Sequence, residues 1–352
     1  MAQSAPRTDI GGGVQTKASP RKVPMMKAHW QRFKDYLSRL FRREPAPGHF
    51  VEGAKWSWRG FLDGAMFVLP RREYLLYVPR GHSRWRRAPL LVLCHGCKQT
   101  VEELVKGTRI VELADSIGCL VLLPRQGENA NPWRCWNWFD AANVRGSGEC
   151  AIVAAMIETV QRSYRADAKR TVVAGMSAGG AFSAALGVRH APLVRGVVVH
   201  SGLACGAAAS PMTAMSVMSR GPDTDAVALA RGARTAGTLV PLLAIHGLAD
   251  NVVAPRNAAV LVRQYLALNG FELPAGADST LPAATSDVNS AAAGRSVRTR
   301  EWRSDGRLLV RLIEVEGLGH AWSGGDAGLP FNDAAAPDAT ALIGQFLGEL
   351  VR

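Results

Sequence analysis

Long apolar runs are missing from this chain. No stretch approaches the roughly 18 to 20 consecutive apolar residues needed to cross a bilayer, although 47% of the 352 residues are hydrophobic. A spanning helix is therefore excluded, and a soluble protein with a large core is the expectation. Cysteine is scarce: the six residues at 94, 97, 119, 135, 150 and 205 are too few to scaffold a chain of this size. Cys94-x-x-Cys97 has no second pair at ligand spacing, which leaves no zinc pattern and no expected metal. Acidic residues are also short, 29 Asp/Glu against 42 Lys/Arg, for a net charge of +13. Ten basic and three acidic residues fall within the first 50, so +7 of the +13 belongs to a tail. A surplus gathered in a tail, rather than spread along a groove, argues against nucleic-acid binding by the globular part.

Residues 1–24 are rich in Gly, Ser, Pro and Lys, lack aromatics, and are expected to be disordered. From Met25 to Arg43, Trp30, Phe33, Leu37, Leu40 and Phe41 fall on one helical face, with Arg32, Lys34, Arg39, Arg42 and Arg43 mostly elsewhere. A basic amphipathic helix over about 25–43 is read either as packing on the main domain or a mobile tail, or as attaching to an anionic membrane or a polymer-granule surface. Its recurring charges rule out the uninterrupted apolar core of a signal peptide. With no transmembrane segment either, the expectation is a cytoplasmic, granule-associated protein.

The Pro45-Ala46-Pro47-Gly48 stretch marks a boundary between a tail at 1–45 and a domain at 46–352. Beyond it, strand-like runs at Ala65–Leu69, Glu73–Val78 and Pro89–Cys94 lead into alternating strands and helices, among them helices near Val101–Ser116 and Arg256–Leu268 and strands at Val240–His246 and Leu308–Glu316. That alternation predicts a mostly parallel central sheet flanked by helices. Residues 275–297, rich in Ala, Ser, Thr and Asp without an apolar period, are expected to form a flexible surface insertion.

The stretch Gly175-Met176-Ser177-Ala178-Gly179-Gly180 lies between a β-branched run and a small-residue helical run. A Gly-x-Ser-x-Gly in that setting is a nucleophile elbow, in which the tight turn lifts the serine Oγ clear of an α/β-hydrolase sheet. The base must then follow the acid, which in turn follows the serine. Of the eight histidines, only His320 lies beyond the candidate acid loop, in Gly317-Leu318-Gly319-His320 after an apolar run. Asp250 closes the run Leu242–Ile245 in His246-Gly247-Leu248-Ala249-Asp250, whereas the other aspartates between serine and histidine sit in turn or low-complexity settings. Ser177, Asp250 and His320 are the predicted nucleophile, acid and base. The oxyanion of acyl transfer needs two backbone donors, assigned to Ala178 after the nucleophile and Cys97 in His95-Gly96-Cys97. His95 is read as a structural hydrogen-bonding residue.

Together, Leu93-Cys-His-Gly-Cys-Lys-Gln-Thr100, Arg134-Cys-Trp-Asn-Trp-Phe139, the elbow, His200-Ser-Gly-Leu203, His246-Gly-Leu-Ala-Asp250 and Gly319-His-Ala-Trp-Ser-Gly-Gly325 resemble the polyhydroxybutyrate depolymerase type of esterase. That α/β-hydrolase family borders the feruloyl and acetylxylan esterases. The resemblance covers roughly residues 65–350. It implies cleavage of an ester, often of a poly- or oligo-(3-hydroxyalkanoate), without metal or cofactor. It also implies that Cys97 and Cys135 pair and fix the oxyanion loop, the alternative in a reducing compartment being two free thiols. Secreted relatives make the extracellular region the alternative location. Trp136, Trp138 and Trp322 are read as substrate-binding walls of the cleft, with core packing the equal alternative. Met212, Met215 and Met218 are read as core, or else as an adaptable lip over an acyl pocket. Feruloyl or acetylxylan-type esterase action on plant cell-wall esters is the alternative activity. A protein that coats granules or membranes without catalysis is the alternative of another class.

Overall fold

The computed structural model describes residues 46–56, 71–83, 85–233, 238–273 and 280–350. The tail at 1–45 with its expected helix, and the strand expected at Ala65–Leu69, lie outside the described residues. Ten strands make one sheet in the spatial order β1-β2-β4-β3-β5-β6-β7-β10-β9-β8. They are β1 His49–Trp56, β2 Arg71–Val78, β3 Ala88–Cys94, β4 Leu120–Pro124, β5 Ala166–Met176, β6 Gly196–His200, β7 Leu242–Gly247, β8 Ser286–Ala292, β9 Arg295–Ser304 and β10 Arg307–Val315. From β4 to β10 every neighbouring pair is parallel, while β1 and β2 on one side and β8 and β9 on the other are antiparallel. A short parallel pair, β11 Trp322–Ser323 and β12 Asn332–Asp333, stands apart.

Parallel strands need crossovers, and here these are helices on both faces. The described helices are α1 Val101–Thr108, α2 Ile110–Ile117, α3 Ala141–Val144, α4 Gly148–Ser163, α5 Ala178–Arg189, α6 Pro211–Arg220, α7 Ala226–Ala233, α8 Arg256–Leu268 and α9 Ala339–Glu349. With both faces covered, the central strands read as continuous apolar runs, and successive side chains divide between two cores. Leu90, Val92 and Cys94 of β3 join Trp136 and Phe182 on one face, and Leu91 and Leu93 join Leu104, Ile343 and Phe346 on the other. The chain winds from β3 outward to β4, then back across β3 to β5. Ligand sites of open α/β sheets form at the carboxyl ends of the strands beside such a reversal, and the loops after β3, β5, β7 and β10 converge there.

Two expectations need correction. Of the region 275–297 expected as a flexible insertion, the part from Ser286 onward forms a hairpin of β8 and β9 that extends the sheet. Its turn is Ala293-Gly294, with φ of 49° and 83°, the two positive values of a type I′ connection. β8 is exposed along nearly its whole length, so it has no apolar period to betray it. Backbone pairing and the Arg298–Asp287 ion pair hold its register instead. The single helix expected over Val101–Ser116 is two, broken at Arg109, whose φ is 53°. There the guanidinium reaches the Gly324 carbonyl and Asp338, joining this corner to the loop after β10.

Candidate active site

At the end of β5 the chain reverses into α5 through Ser177, whose φ of 56° and ψ of −123° few L-residues adopt. Surrounding structure holds this strained turn. The Ser177 amide donates to the His200 carbonyl at 2.9 Å, anchoring the turn to β6. A side chain at Gly179 would place Cβ 2.3 Å from the Cys94 carbonyl oxygen and 2.4 Å from that of His95. Glycine is therefore required for α5 to lie against the end of β3. The amide of Ala178, first in α5, has no carbonyl one turn earlier to bond and opens toward the serine.

Asp250 sits in the turn after β7, buried, with Oδ1 accepting from the Val252 and Val253 amides at 3.0 and 2.8 Å. Its Oδ2 lies 2.8 Å from Nδ1 of His320, in the loop after β10. An ionised carboxylate only accepts, so Nδ1 carries the proton and Nε2 keeps its lone pair. Burial opposes ionisation of Asp250, but the hydrogen bond and charge of His320, the Val253 amide and nearby His246 outweigh it and hold the carboxyl below its ordinary value. His246, buried at the end of β7, approaches Oδ2 to 3.7 Å and donates from Nε2 to the Val253 carbonyl at 2.8 Å. Burial lowers its pKa, and the facing His320 lowers it further, against the Val253 carbonyl and Asp250. Among the described residues no hydrogen bond joins Ser177 Oγ to His320 Nε2, but both side chains line one pocket.

The loop after β3 passes over the serine. A Cβ built on Gly96 would stand 3.6 Å from Cβ of Ser177, and the Gly96 amide is fixed by Gln99 Oε1 at 2.9 Å. Among the described residues no hydrogen bond uses the Cys97 or Ala178 amide, which leaves two donors beside the serine. His95 lies beneath the loop with Nδ1 donating to the Gly96 carbonyl at 2.8 Å and Nε2 accepting from the Gln126 amide at 3.2 Å. Burial pushes its pKa down to about 4, with Arg134 and Arg125 adding to the effect against the Gly96 carbonyl. It is a neutral brace, as its structural reading from the sequence expected. Cys97 is disulfide-bonded to Cys135.

Sequence reasoning missed the group under that bridge. Glu149, buried at the start of α4, accepts from Arg72, the Gln126 side chain, the Asn137 amide and side chain, and the Asn143 side chain. One carboxylate thus ties the loop holding Cys135 to β2 and α4. A Glu in a helix's first turn looks like an ordinary response to the helix dipole. Only the polar Asn137 and Asn143 within an otherwise apolar stretch hinted at a buried acceptor.

The pocket at the serine is about 270 Å³, with Met176, Met218, Val252 and Phe331 forming apolar wall beside Ser177 and His320. The three tryptophans assigned to it are not there. Trp136 is fully buried and stacks on Phe182 at 4.4 Å, Trp138 is buried, and Trp322 stacks on His200 at 5.2 Å. Their size lets them fill the space between sheet and loops, so the core alternative holds for all three. The methionines divide differently: Met212 and Met215 are exposed on α6 and Met218 lines the pocket. Core packing therefore fails for Met212 and Met215, whereas Met218 packs against the core and also lines the pocket.

Residues 72–285 match the family model described as Esterase PHB depolymerase. The chain belongs to the PHB depolymerase esterase family. It is 27% identical over 287 residues to poly(3-hydroxyalkanoate) depolymerase C of Paucimonas lemoignei, covering 77% of this chain and 66% of that protein. Over 195 residues it is 28% identical to feruloyl esterase B of Neurospora crassa, covering 52% of this chain and 66% of the relative. In both cases the chain spans just under two thirds of the relative's own length. Among solved structures, an acetyl xylan esterase from Aspergillus awamori superposes with a TM-score of 0.62 at 18% identity, over 79% of this chain and 94% of that one. That likeness concerns the α/β fold alone. The family match contains Ser177 and Asp250 and stops before His320, whose place rests on its hydrogen bond to Asp250.

Proposed function

We propose that this family member is a serine esterase that hydrolyses short hydroxyalkanoate esters, from polymer or oligomer, through an acyl-enzyme on Ser177. The observation that carries this reading is the small apolar pocket shared by Ser177 and His320, with the imidazole already bonded to a buried carboxylate. In this reading Ser177 Oγ attacks the ester carbonyl while His320 Nε2 takes its proton, and Asp250 stabilises the imidazolium through Nδ1–H. The Cys97 and Ala178 amides receive the oxyanion. As the tetrahedral intermediate collapses, the acyl carbon–oxygen bond breaks and the alcohol leaves with the proton from His320. Water, deprotonated by the same imidazole, then frees the acid and restores the serine.

A volume of about 270 Å³ lies at the small end of ligand pockets, which favours short acyl groups over a long chain or a feruloyl ring. Acetyl groups would fit as well, so acetylxylan-type action stays the runner-up. The test is a panel of p-nitrophenyl esters from acetate to decanoate, run beside hydroxybutyrate oligomers, acetylated xylan and methyl ferulate. Turnover of ferulate above all others, or of none, would sink this reading. The Cys97–Cys135 bridge supports an oxidising compartment, and thus the extracellular alternative. Segment 25–43 is kept as a proposed attachment to an anionic membrane or granule surface.

A further inference from the structure

Among the residues lining the pocket, His320 and Lys98 are the two with basic side chains, and no acid lines it. Lys98 follows the oxyanion residue Cys97 in a left-handed conformation, φ 62°, which turns it out of the loop to an exposed position at the pocket's mouth. Its amide donates to the Trp133 carbonyl at 2.7 Å, and its Nζ lies 4.8 Å from the centroid of the Trp133 ring. Among the described residues no carboxylate stands within ion-pair distance of it. The nearby guanidiniums differ: Arg125 is paired with Glu102 and Arg134 with Glu128. An aromatic face positions an ammonium without cancelling its charge. Lys98 therefore presents an uncompensated cation beside apolar wall, where attraction for an incoming anion is stronger than in open water.

We propose that Lys98 selects esters carrying a free carboxylate on the alcohol side of the scissile bond, so that the preferred substrate is a short hydroxyalkanoate oligomer in its free-acid form. The proposal rests on the esterase reading above. The acyl group takes the apolar interior, and the exposed Lys98 faces what remains outside, which is the leaving alcohol. In a hydroxy-acid oligomer that alcohol bears the terminal carboxylate. Cleavage breaks the acyl carbon–oxygen bond, the leaving oxygen takes its proton from His320, and the carboxylate stays ionised throughout. Lys98 thus enters binding and not the proton balance.

The experiment compares kcat/KM for the 3-hydroxybutyrate dimer as free acid and as its methyl ester at pH 8. The ratio of acid to methyl ester is expected to exceed one in the wild type and to fall about tenfold or more in Lys98→Glu, with Lys98→Arg retaining it. In the wild type the ratio should also drop severalfold as salt rises from about 0.02 to 0.5 M. That arm needs no variant and serves if Lys98→Glu does not fold. A ratio the same in wild type and Lys98→Glu, or indifferent to salt, overturns the proposal. Hydrolysis of p-nitrophenyl acetate without hydrolysis of either dimer overturns it too, while leaving the esterase reading standing. Failure to hydrolyse any ester overturns both.

Discussion

The imidazole of His200 lies stacked on the indole of Trp322, ring centroids 5.2 Å apart and planes within 20°. His200 also accepts the Ser177 amide on its carbonyl and the Ser323 amide on Nε2, at 2.9 and 3.3 Å. The strand beside the elbow is thereby fastened to the loop that carries His320. Trp322→Ala should cost about 3–5 kcal/mol of stability and lower kcat more than it raises KM, with Trp322→Phe milder on both counts. Urea unfolding and steady-state kinetics on a soluble ester check this. A pure rise in KM at unchanged stability would restore the tryptophan to the substrate wall.

Gly179 gives a sharper steric case. Its added Cβ would meet two backbone carbonyl oxygens at 2.3 and 2.4 Å, atoms that cannot swing aside as a side chain can. Gly179→Ala must push α5 away from β3, and with it the Ala178 amide from the serine. A loss of more than about 3 kcal/mol is expected, at the damaging end for single substitutions. Where protein folds, kcat should fall at least tenfold; wild-type melting and turnover in this variant would contradict the close approach.

Acid should destabilise the protein well above the carboxylate range. Burial pushes the pKa of His200 down to about 3, that of His95 to about 4, and lowers that of His246. In the unfolded chain each binds its proton near pH 6.5. Above that pH neither state is protonated, and stability is full. As pH falls through 6.5 the unfolded chain gains protons that the native state refuses, so each histidine removes about 1.4 kcal/mol per pH unit until its folded value is reached. Asp250, with its folded pKa lowered, adds stability above its unfolded value, which is about 3.9, and loses it as pH falls further. The urea midpoint should hold from about pH 8 to 7 and drop steeply between 6 and 4. A level midpoint across that span would mean that these rings are not buried and neutral.

The parallel core was legible, and so was the meeting of Ser177, Asp250 and His320 in loops at one end of it, because apolar runs ending in Gly-rich loops have few other uses. The bounds of β7, α8 and β10 lie within two residues of those expected, since each is periodic or wholly apolar. The hairpin at 286–304 was not legible: its outer strand faces water on both sides, and the backbone ladder that orders it leaves no mark on residue type. The tryptophans illustrate another limit. Trp136 and Trp322 stand in motifs with chemistry-bearing neighbours, yet which way an indole points depends on the long-range packing of His200 and Phe182.

Glu149 is the residue whose importance only the structure reveals. Replacing it with Gln keeps the shape but turns one acceptor oxygen into a donor among five donors. Buried donors left without an acceptor cost about 1–3 kcal/mol each, more where the lost partner was charged. Glu149→Gln should therefore lower the unfolding free energy by about 2–4 kcal/mol. Because the loop it holds is bridged to Cys97, kcat should fall as well. Adding reductant to this variant should deepen the loss, as the bridge and the bond from the Lys98 amide to the Trp133 carbonyl are then what ties the two loops together. An effect of Glu149→Gln on stability alone, with turnover intact, would limit the cluster to a structural part.

The assignment of the reacting groups separates by how each substitution fails. In the proposed mechanism Ser177→Ala removes the atom that would form the acyl-enzyme, and His320→Ala its base; each should cost about 10⁵ to 10⁶ in kcat. Asp250→Asn leaves the shape but gives Nδ1 of His320 an amide to face, which favours the tautomer with Nδ1 as acceptor and the proton on Nε2, pointing at the serine. The loss there should be about 10⁴, with KM little moved, because the pocket walls are untouched. Combining Ser177→Ala with His320→Ala should cost no more than either alone, since the two act as one unit. Mass spectrometry after mixing with p-nitrophenyl acetate should find an acetyl adduct in the Asp250→Asn protein, where deacylation is slow, and none in Ser177→Ala. Full turnover in Ser177→Ala, or additive losses in the double variant, would place the nucleophile elsewhere.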